Sequence, residues 1–408
     1  MRGDILFDAL LLNAGYNAAL VSIGAALLAG AAGGVGAFLF LRRRALISDA
    51  VAHATLPGVA LAFLAMVALG GDGRSLIGLT FGAAATALLG FLAVEWIARR
   101  TRLGEDAAIG AVLSVFFGAG IVLLTVIQSL SVGRQAGLED FLFGSAAGML
   151  FEDAALIAGG GAALAAAVYA LRRPMALIAF DPGYAAASGV DVRRTDLAMM
   201  ALGAAVIVIG IKIVGLLLIV ALLIIPPVAA RFWTDRVDQV AVIGAAIGAA
   251  SAYLGAALSA AAPNLPTGAV IVLIAFAVCM LSLLLAPRRG VLAAALRWRA
   301  FQRRVHLRQG LLALARGEPI YDGLTLRVLR RAGLIHGDGV PTEAGRAEAA
   351  RALFDERRWE TARRLRGDEP GFGAADGLAP IETVLTPDEI AAVDAATAPL
   401  APAEEHER

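Results

Sequence analysis

The sequence predicts an all-α polytopic membrane protein of about nine transmembrane helices, with eight as the fallback, followed by a small cytoplasmic α+β domain of winged-helix pattern. Three observations carry this. The 408-residue chain is 59% hydrophobic and 17% charged. Its charge is uneven, with 32 charged side chains in residues 1–286 and 37 in residues 287–408. The first part is also built of apolar runs of about 20 residues, more than one soluble core can hide and what a bilayer accepts. The net charge of +1 says little, because sign matters locally here. A single cysteine, Cys279, lies in an apolar run, so neither a disulfide nor a cysteine cluster is expected. Arg2 and the apolar residues after it faintly resemble a signal peptide, but Asp4, Asp8 and the further spans predict that it is retained.

In order, the apolar runs fall near 16–41, 49–69, 76–97, 107–128, 150–171, 196–212, 214–231, 239–260 and 267–286. Gly and Ala are frequent throughout, which suits close helix approach in lipid. One set of loops carries Arg42-Arg43-Arg44, Arg99-Arg100 with Arg102, Arg172-Arg173, Arg193-Arg194, Arg231 with Arg236, and Arg288-Arg289. The alternate loops carry only Arg74, Arg134 and Lys212. The positive-inside rule puts the arginine-rich set in the cytoplasm, with the N-terminus outside and the tail inside.

Three stretches carry candidate chemistry. In Ser48-Asp49-Ala50-Val51-Ala52-His53, the acid and the imidazole stand four apart, one helical turn from each other on one face. Such a pair is a half-site for a divalent transition metal; the bland alternative makes Asp49 an interfacial helix cap. Residues 196–231 read as two short runs hinged at Gly210-Ile211-Lys212-Ile213-Val214-Gly215, the second ending in Ile225-Pro226-Pro227. Broken spans of this kind mark pathways in transporters, although Lys212 snorkelling and prolines ending a helix explain them equally well. Asp181-Pro182-Gly183-Tyr184-Ala185-Ala186-Ala187-Ser188-Gly189-Val190-Asp191 is too polar and short to span. There Asp181 caps a short helix with Pro182 in its first turn and Gly189 terminates it, giving either a connector or an element a cytoplasmic motor pushes.

The residues together resemble the integral-membrane subunit of the zinc/manganese/iron family of bacterial ABC importers. The matching pieces are Arg42 through Asp49 and His53 to Leu56-Pro57-Gly58, the segment Asp181 to Val190, and Val214-Gly215-Leu216 to Pro226 and Arg231. Leu265-Pro266-Thr267-Gly268 and Ala286-Pro287-Arg288-Arg289-Gly290 complete an ordered set. The resemblance implies a permease working as a homodimer or heterodimer in the inner membrane, driven by a cytoplasmic ABC ATPase and fed by an extracytoplasmic metal-binding protein. It places metal contact on Asp49 and His53, a coupling helix on Asp181, Pro182, Tyr184, Ala185, Gly189 and Val190, and pathway or hinge roles on Gly215, Pro226, Pro227, Pro266 and Gly268. Ser48 departs from the family pattern, where glycine is expected. No G-x-x-x-x-G-K-[ST] loop occurs, so ATP is expected on the partner and this chain is not expected to be an enzyme.

The tail reads separately. Residues 291–309 predict an amphipathic helix with Leu292, Leu296, Trp298, Phe301 and Val305 set among Arg297, Arg299, Arg303 and Arg304, suited to an anionic membrane surface. A helix ending at Gly333, a short strand, the Gly337-Asp338-Gly339 turn, a second strand and a helix capped by Thr342 make a winged-helix pattern over residues 310–398, with residues 399–408 disordered. This tail resembles the iron-dependent repressor family, but Glu356 or Arg357 and Thr383 stand where that family places metal-binding histidines. Arg327, Arg330 and Arg331 offer phosphate contacts, yet 19 Arg against 18 acidic residues favours a protein-contact or regulatory module over a nucleic-acid partner.

The expected function is therefore the permease subunit, residues 1–290, of an ATP-driven importer of manganese or iron, with zinc also compatible and no permanently bound cofactor. The alternatives are a membrane-anchored regulator acting through the tail and an ion-coupled secondary transporter. The latter calls for inverted repeats and more buried ionisable groups than Asp49, His53, Glu95 and Lys212.

Overall fold

The computed structural model describes residues 7–129, 151–261, 265–366 and 377–397, apart from residues 14, 43, 72 and 74. The chain divides into two compact units, Met1–Ala293 and Ala294–Arg408.

The first unit is helical throughout its described residues: α1 (Tyr16–Leu41), α2 (Ala45–Ala68), α3 (Leu76–Arg100), α4 (Glu105–Ser129), α5 (Phe151–Phe180), α6 (Pro182–Ala187), α7 (Val192–Val214), α8 (Leu216–Arg231), α9 (Val237–Ala261) and α10 (Thr267–Leu285). Each apolar run of the sequence lies in one of these helices. The run at 150–171 is exceeded most, because α5 continues past Arg172 and Pro174 to Phe180. Charge ends an apolar run without ending a helix: the Arg172 guanidinium folds back over the Tyr169 ring at 3.7 Å and donates to the Tyr169 carbonyl. Eight of these helices, the fallback count, are long and apolar enough to cross a membrane. The ninth apolar helix, α8, has 16 residues, about 24 Å of rise against a hydrocarbon core of about 30 Å.

α1 is the axis of the unit. It packs most extensively on α9 and also lies against α5, α8 and α7, while α2 packs on α3 and α4 and touches α7 and α8. These contacts are backbone on backbone. A Cβ at Gly33 would overlap the Gly244 carbonyl, and one at Gly248 would overlap that of Ala29. Ala29/Gly33 and Gly244/Gly248 are thus matched small pairs four apart. Gly58 of α2 and Gly82 of α3 exclude each other's side chains in the same way.

The two prolines of α8 correct the sequence reading, since the helix runs through Pro226 and Pro227 to Arg231 rather than ending there. Pro227 has no N–H for the Leu223 carbonyl. Gly36 of α1 packs against that same carbonyl, so the donor-free oxygen is covered by a close backbone and both prolines are buried.

One ion cluster joins four helix ends. Asp196, buried near the start of α7, accepts a bidentate pair from Arg42 at 3.1 and 3.0 Å. Arg44 lies 3.7 Å from Asp196 and 3.5 Å from Glu105 at the start of α4. Removing the acid would strand two guanidiniums, a loss of about 3 kcal/mol for a buried pair.

The second unit contains α11 (Val291–Arg316), which crosses the boundary between the two units, then α12 (Gly323–Arg331), α13 (Glu343–Arg366), a 3₁₀ turn (Ile381–Thr383) and α14 (Pro387–Ala396). Leu311, Leu329, Leu334, Ile335 and Ala349 form one core, and Trp359, Ala362, Ile381, Leu385 and Val393 a second. The expected α+β character is not found, because the described residues contain no strand. The two arms around Gly337-Asp338-Gly339 meet only in an isolated antiparallel bridge, Ile335 with Pro341, beside His336 N–H to the Val340 carbonyl at 2.8 Å. Each arm is about two residues long, and Pro341 has no N–H with which to extend a ladder. Thr342 does cap α13, accepting from the Gly345 N–H at 3.0 Å. The expected disordered segment 399–408 lies outside the described residues.

Gly33→Leu is expected to cost about 1–3 kcal/mol by overpacking. Gly110→Ala on α4, where a Cβ meets open space, should gain about 0.5 kcal/mol. Thermal melting of the full chain in detergent checks both, and Asp196→Ala should destabilise more than Glu105→Ala in the same assay.

Candidate functional site

Asp49 and His53 occupy the second and third turns of α2. His53 Nε2 lies 3.4 Å from Asp49 Oδ1, with the imidazole 14% and the carboxylate 40% exposed. The ring is held by packing: it meets Phe117 of α4 edge-on, centroids 5.0 Å apart. Its Nδ1 is buried without a hydrogen-bond partner among the described residues. Pro57 stands four residues on and has no N–H to offer the His53 carbonyl, so one turn of α2 presents a carboxylate, an imidazole and a backbone oxygen without its helical donor.

Two ligands bonded to one first-row ion at ~2.1 Å and a tetrahedral angle stand ~3.4 Å apart, so the observed separation fits a shared divalent ion. The described residues contain no group of three or more His, Cys, Asp or Glu able to hold a metal. The carboxylate is the open end of the pair, because from Ala50 to Ala60 every residue of α2 but His53 is buried within the single chain.

The segment after α5 forms the short helix expected from its capping residues. Asp181 Oδ1 accepts from the N–H groups of Gly183 (2.8 Å) and Tyr184 (3.0 Å), with Pro182 in the first turn. Gly189 at φ +84° ends it, and the Val190 N–H returns to the Ala185 carbonyl at 3.0 Å. Ala185 is fully buried while Tyr184 is 63% exposed, so α6 is anchored on one side and open on the other. Asp191 then caps α7, accepting from the Arg194 N–H at 3.0 Å.

Among the expected hinge positions, Gly215 alone separates α7 from α8, at φ 83° and ψ 164°, a conformation open only to glycine. Pro266 is the N-cap of α10, and Gly268 lies in its first turn. That start is tied to α9 through Ser259, whose hydroxyl donates to the Leu265 carbonyl at 2.8 Å and lies 2.9 Å from the Thr267 hydroxyl. Gly215 thus belongs to the α7–α8 junction and Pro266 and Gly268 to the start of α10, while Pro226 and Pro227 lie within α8. The Lys212 side chain lies outside the described residues.

Sequence reasoning missed Phe117, which lies in the middle of an apolar run, and Asp196. Asp196 had a signal, an acid opening an apolar run. In the tail, Glu356 binds Arg308 Nη2 at 2.6 Å and Thr383 donates to the Pro380 carbonyl at 2.7 Å, so both have structural employment. Burial opposes the charge on Arg308, but hydrogen bonds to Glu356 and Asp355 outweigh it and hold the guanidinium above its ordinary pKa.

Several known proteins share this architecture. The manganese transport system membrane protein MntC of Bacillus subtilis (strain 168) is 39% identical over 310 residues, 76% of this chain and 70% of that protein. A match of that length cannot end with α10 and runs on into α11. The zinc transport system membrane protein TroC of Treponema pallidum (strain Nichols) is 37% identical over 294 residues, 72% of this chain and 96% of its own length. Among solved structures, PsaBC from Streptococcus pneumoniae in complex with Fab superposes with a TM-score of 0.58 at 29% identity, over 71% of this chain and 98% of that one. The model of the ABC 3 transport family matches residues 16–286, the whole run from α1 to α10, and the chain belongs to that family.

Proposed function

We propose that the chain is the membrane-spanning subunit of an ATP-driven importer for a divalent transition metal, and that Asp49 and His53 are the groups the ion meets on its way through. The observation that carries this is the carboxylate–imidazole pair at 3.4 Å on α2, its carboxylate partly exposed, inside the family-matched bundle. A second copy presenting the same pair to the same ion would double the donor set to two carboxylates and two imidazoles. A resident metal site normally fixes the far nitrogen of its histidine with a hydrogen bond. His53 Nδ1 has none among the described residues, which suits a ligand that must also release its cargo.

Manganese is the favoured cargo and zinc its competitor: hard oxygen with one imidazole serves both, and the relatives are named for one metal or the other. The expectation of manganese or iron over zinc rested on the repressor-like reading of the tail and loses that ground with it; these relatives are named for manganese or zinc. The work comes from a separate ATPase subunit, and α6 is the element it would grip, through the open side that carries Tyr184. An extracytoplasmic metal-binding protein supplies the ion in this scheme. The arginine-rich loops support a cytoplasmic side for α6 and the tail at a bacterial inner membrane. The tail then serves as a regulatory or partner-contact module there.

Asp49→Ala and His53→Ala, expressed at normal levels with the partner ATPase, should each cut radiolabelled manganese uptake at least tenfold; uptake at the wild-type rate in both would remove the site. Tyr184→Glu should reduce co-purification of the ATPase severalfold while leaving the melting temperature of the permease unchanged.

A further inference from the structure

The second unit holds a cavity of about 480 Å³ between α11 and α12, within the size range of small-ligand sites. Two arginine pairs line it, Arg299 with Arg303 on α11 and Arg327 with Arg331 on α12. Each pair is spaced i, i+4, so both guanidiniums of a pair leave the same face of their helix. All four residues are exposed, and none forms an ion pair among the described residues.

Three other arginines of this unit do meet acids: Arg308 is held by Asp355 and Glu356, Arg358 by Glu382 and Asp394, and Arg351 by Glu348. What distinguishes the four is that they converge on one cavity. Four like charges around a single space repel one another, and an anion placed there relieves them.

The remaining lining fits the same ligand. Gln302 adds amide donors, and His306 lines the wall. Its Nδ1 lies 2.9 Å from the Thr325 hydroxyl and 3.1 Å from Asp322 Oδ2, which fixes the ring through one nitrogen only. Among the described residues, Asp322 is the one carboxylate paired with a lining residue. It also accepts from the Thr325 hydroxyl and N–H at 2.7 and 2.8 Å, bonds that hold its pKa below the ordinary carboxylate value. Leu324 and Val328 supply apolar surface, and Trp298, stacked on Phe301 at 5.9 Å, closes one side.

We propose that this cavity binds a phosphate-bearing small molecule or headgroup. Planar guanidiniums on two walls match the several oxygens of a phosphate better than a single carboxylate. Duplex DNA is disfavoured by the shape, since a recognition helix projects its side chains into a groove. Here the arginines of α12 share a cleft with those of α11. Two sources share the chemistry: a soluble phosphate compound, and the headgroup of an anionic lipid, which α11 has within reach because it begins six residues after α10 ends.

The test uses the full chain in neutral detergent and follows Trp298 emission as the difference between wild type and Trp298→Phe. The probes are inorganic pyrophosphate and short-chain phosphatidylglycerol, with short-chain phosphatidylcholine as the neutral control. A saturable response to pyrophosphate assigns the site to soluble phosphates, and one confined to phosphatidylglycerol assigns it to the headgroup; both support the proposal. R299Q/R303Q and R327Q/R331Q should each weaken the Kd at least tenfold, whereas R346Q/R364Q, which removes equal charge from α13, should change it less than twofold. Single R303Q and R327Q variants, each expected to weaken binding at least threefold, stand in if a double variant fails to fold. The proposal is overturned by no saturable response to either probe, by equal weakening from all three double variants, or by tighter binding of a DNA duplex than of both probes.

Discussion

Backbone contact along α1 is the constraint on which the bundle rests. Water drives apolar faces together in a soluble core, but lipid is as apolar as the helices it surrounds, so cohesion there depends on how closely backbones approach. α1 meets that demand on two sides, through Ala29 and Gly33 against α9 and through Gly36 against the Leu223 carbonyl of α8. The second contact explains how a helix with adjacent prolines can be buried. Pro227 removes the donor of one carbonyl, and the close backbone of α1 shields that oxygen from lipid. Neither feature is tolerable alone.

Charge inside the bundle is treated in two ways, and the contrast separates structure from function. Asp196 is buried and receives two guanidiniums in fork geometry, so its charge is fully engaged in holding α1, α2, α4 and α7 together. Asp49 lies on the next stretch of the same α2 and receives no arginine among the described residues; its partner is an imidazole that is itself half satisfied. An acid that is neutralised has nothing left for a passing cation. An acid kept among apolar side chains with only a histidine beside it retains its attraction.

The sequence made the membrane helices legible because their length and apolarity are local properties, and the runs differ from the helices by a few residues at most ends. The i, i+4 relation of Asp49 to His53 and the caps of α6 were legible for the same reason, each being decided within one turn of chain. Interactions between distant residues were not. Phe117 reaches His53 from another helix, and Asp196 finds Arg42 across 154 positions. The wing failed for a subtler reason: the turn and its cap were read correctly, but whether two-residue arms become strands depends on donors, and Pro341 lacks one. The arginine cavity was half visible, since the arginines of both helices were noted while their convergence belongs to the tertiary fold.

Asp196 also bears on how motion at α6 would reach the ion. The chain leaves α6 at Gly189, is recapped by Asp191, and arrives at Asp196 five residues later, about 7.5 Å along α7. From there the path is ionic, through Arg42 at the end of α1 and Arg44 at the start of α2. Asp49 follows five residues after Arg44. Both helical stretches are short and stiff, and the bidentate pair between them resists rotation as well as separation. Gly215, the positive-φ glycine that ends α7, lies at its far end, so a displacement entering at the near end meets the ion cluster first. In the proposed cycle the start of α2 would therefore follow the start of α7, and the pair it carries would move as one piece rather than open by bending.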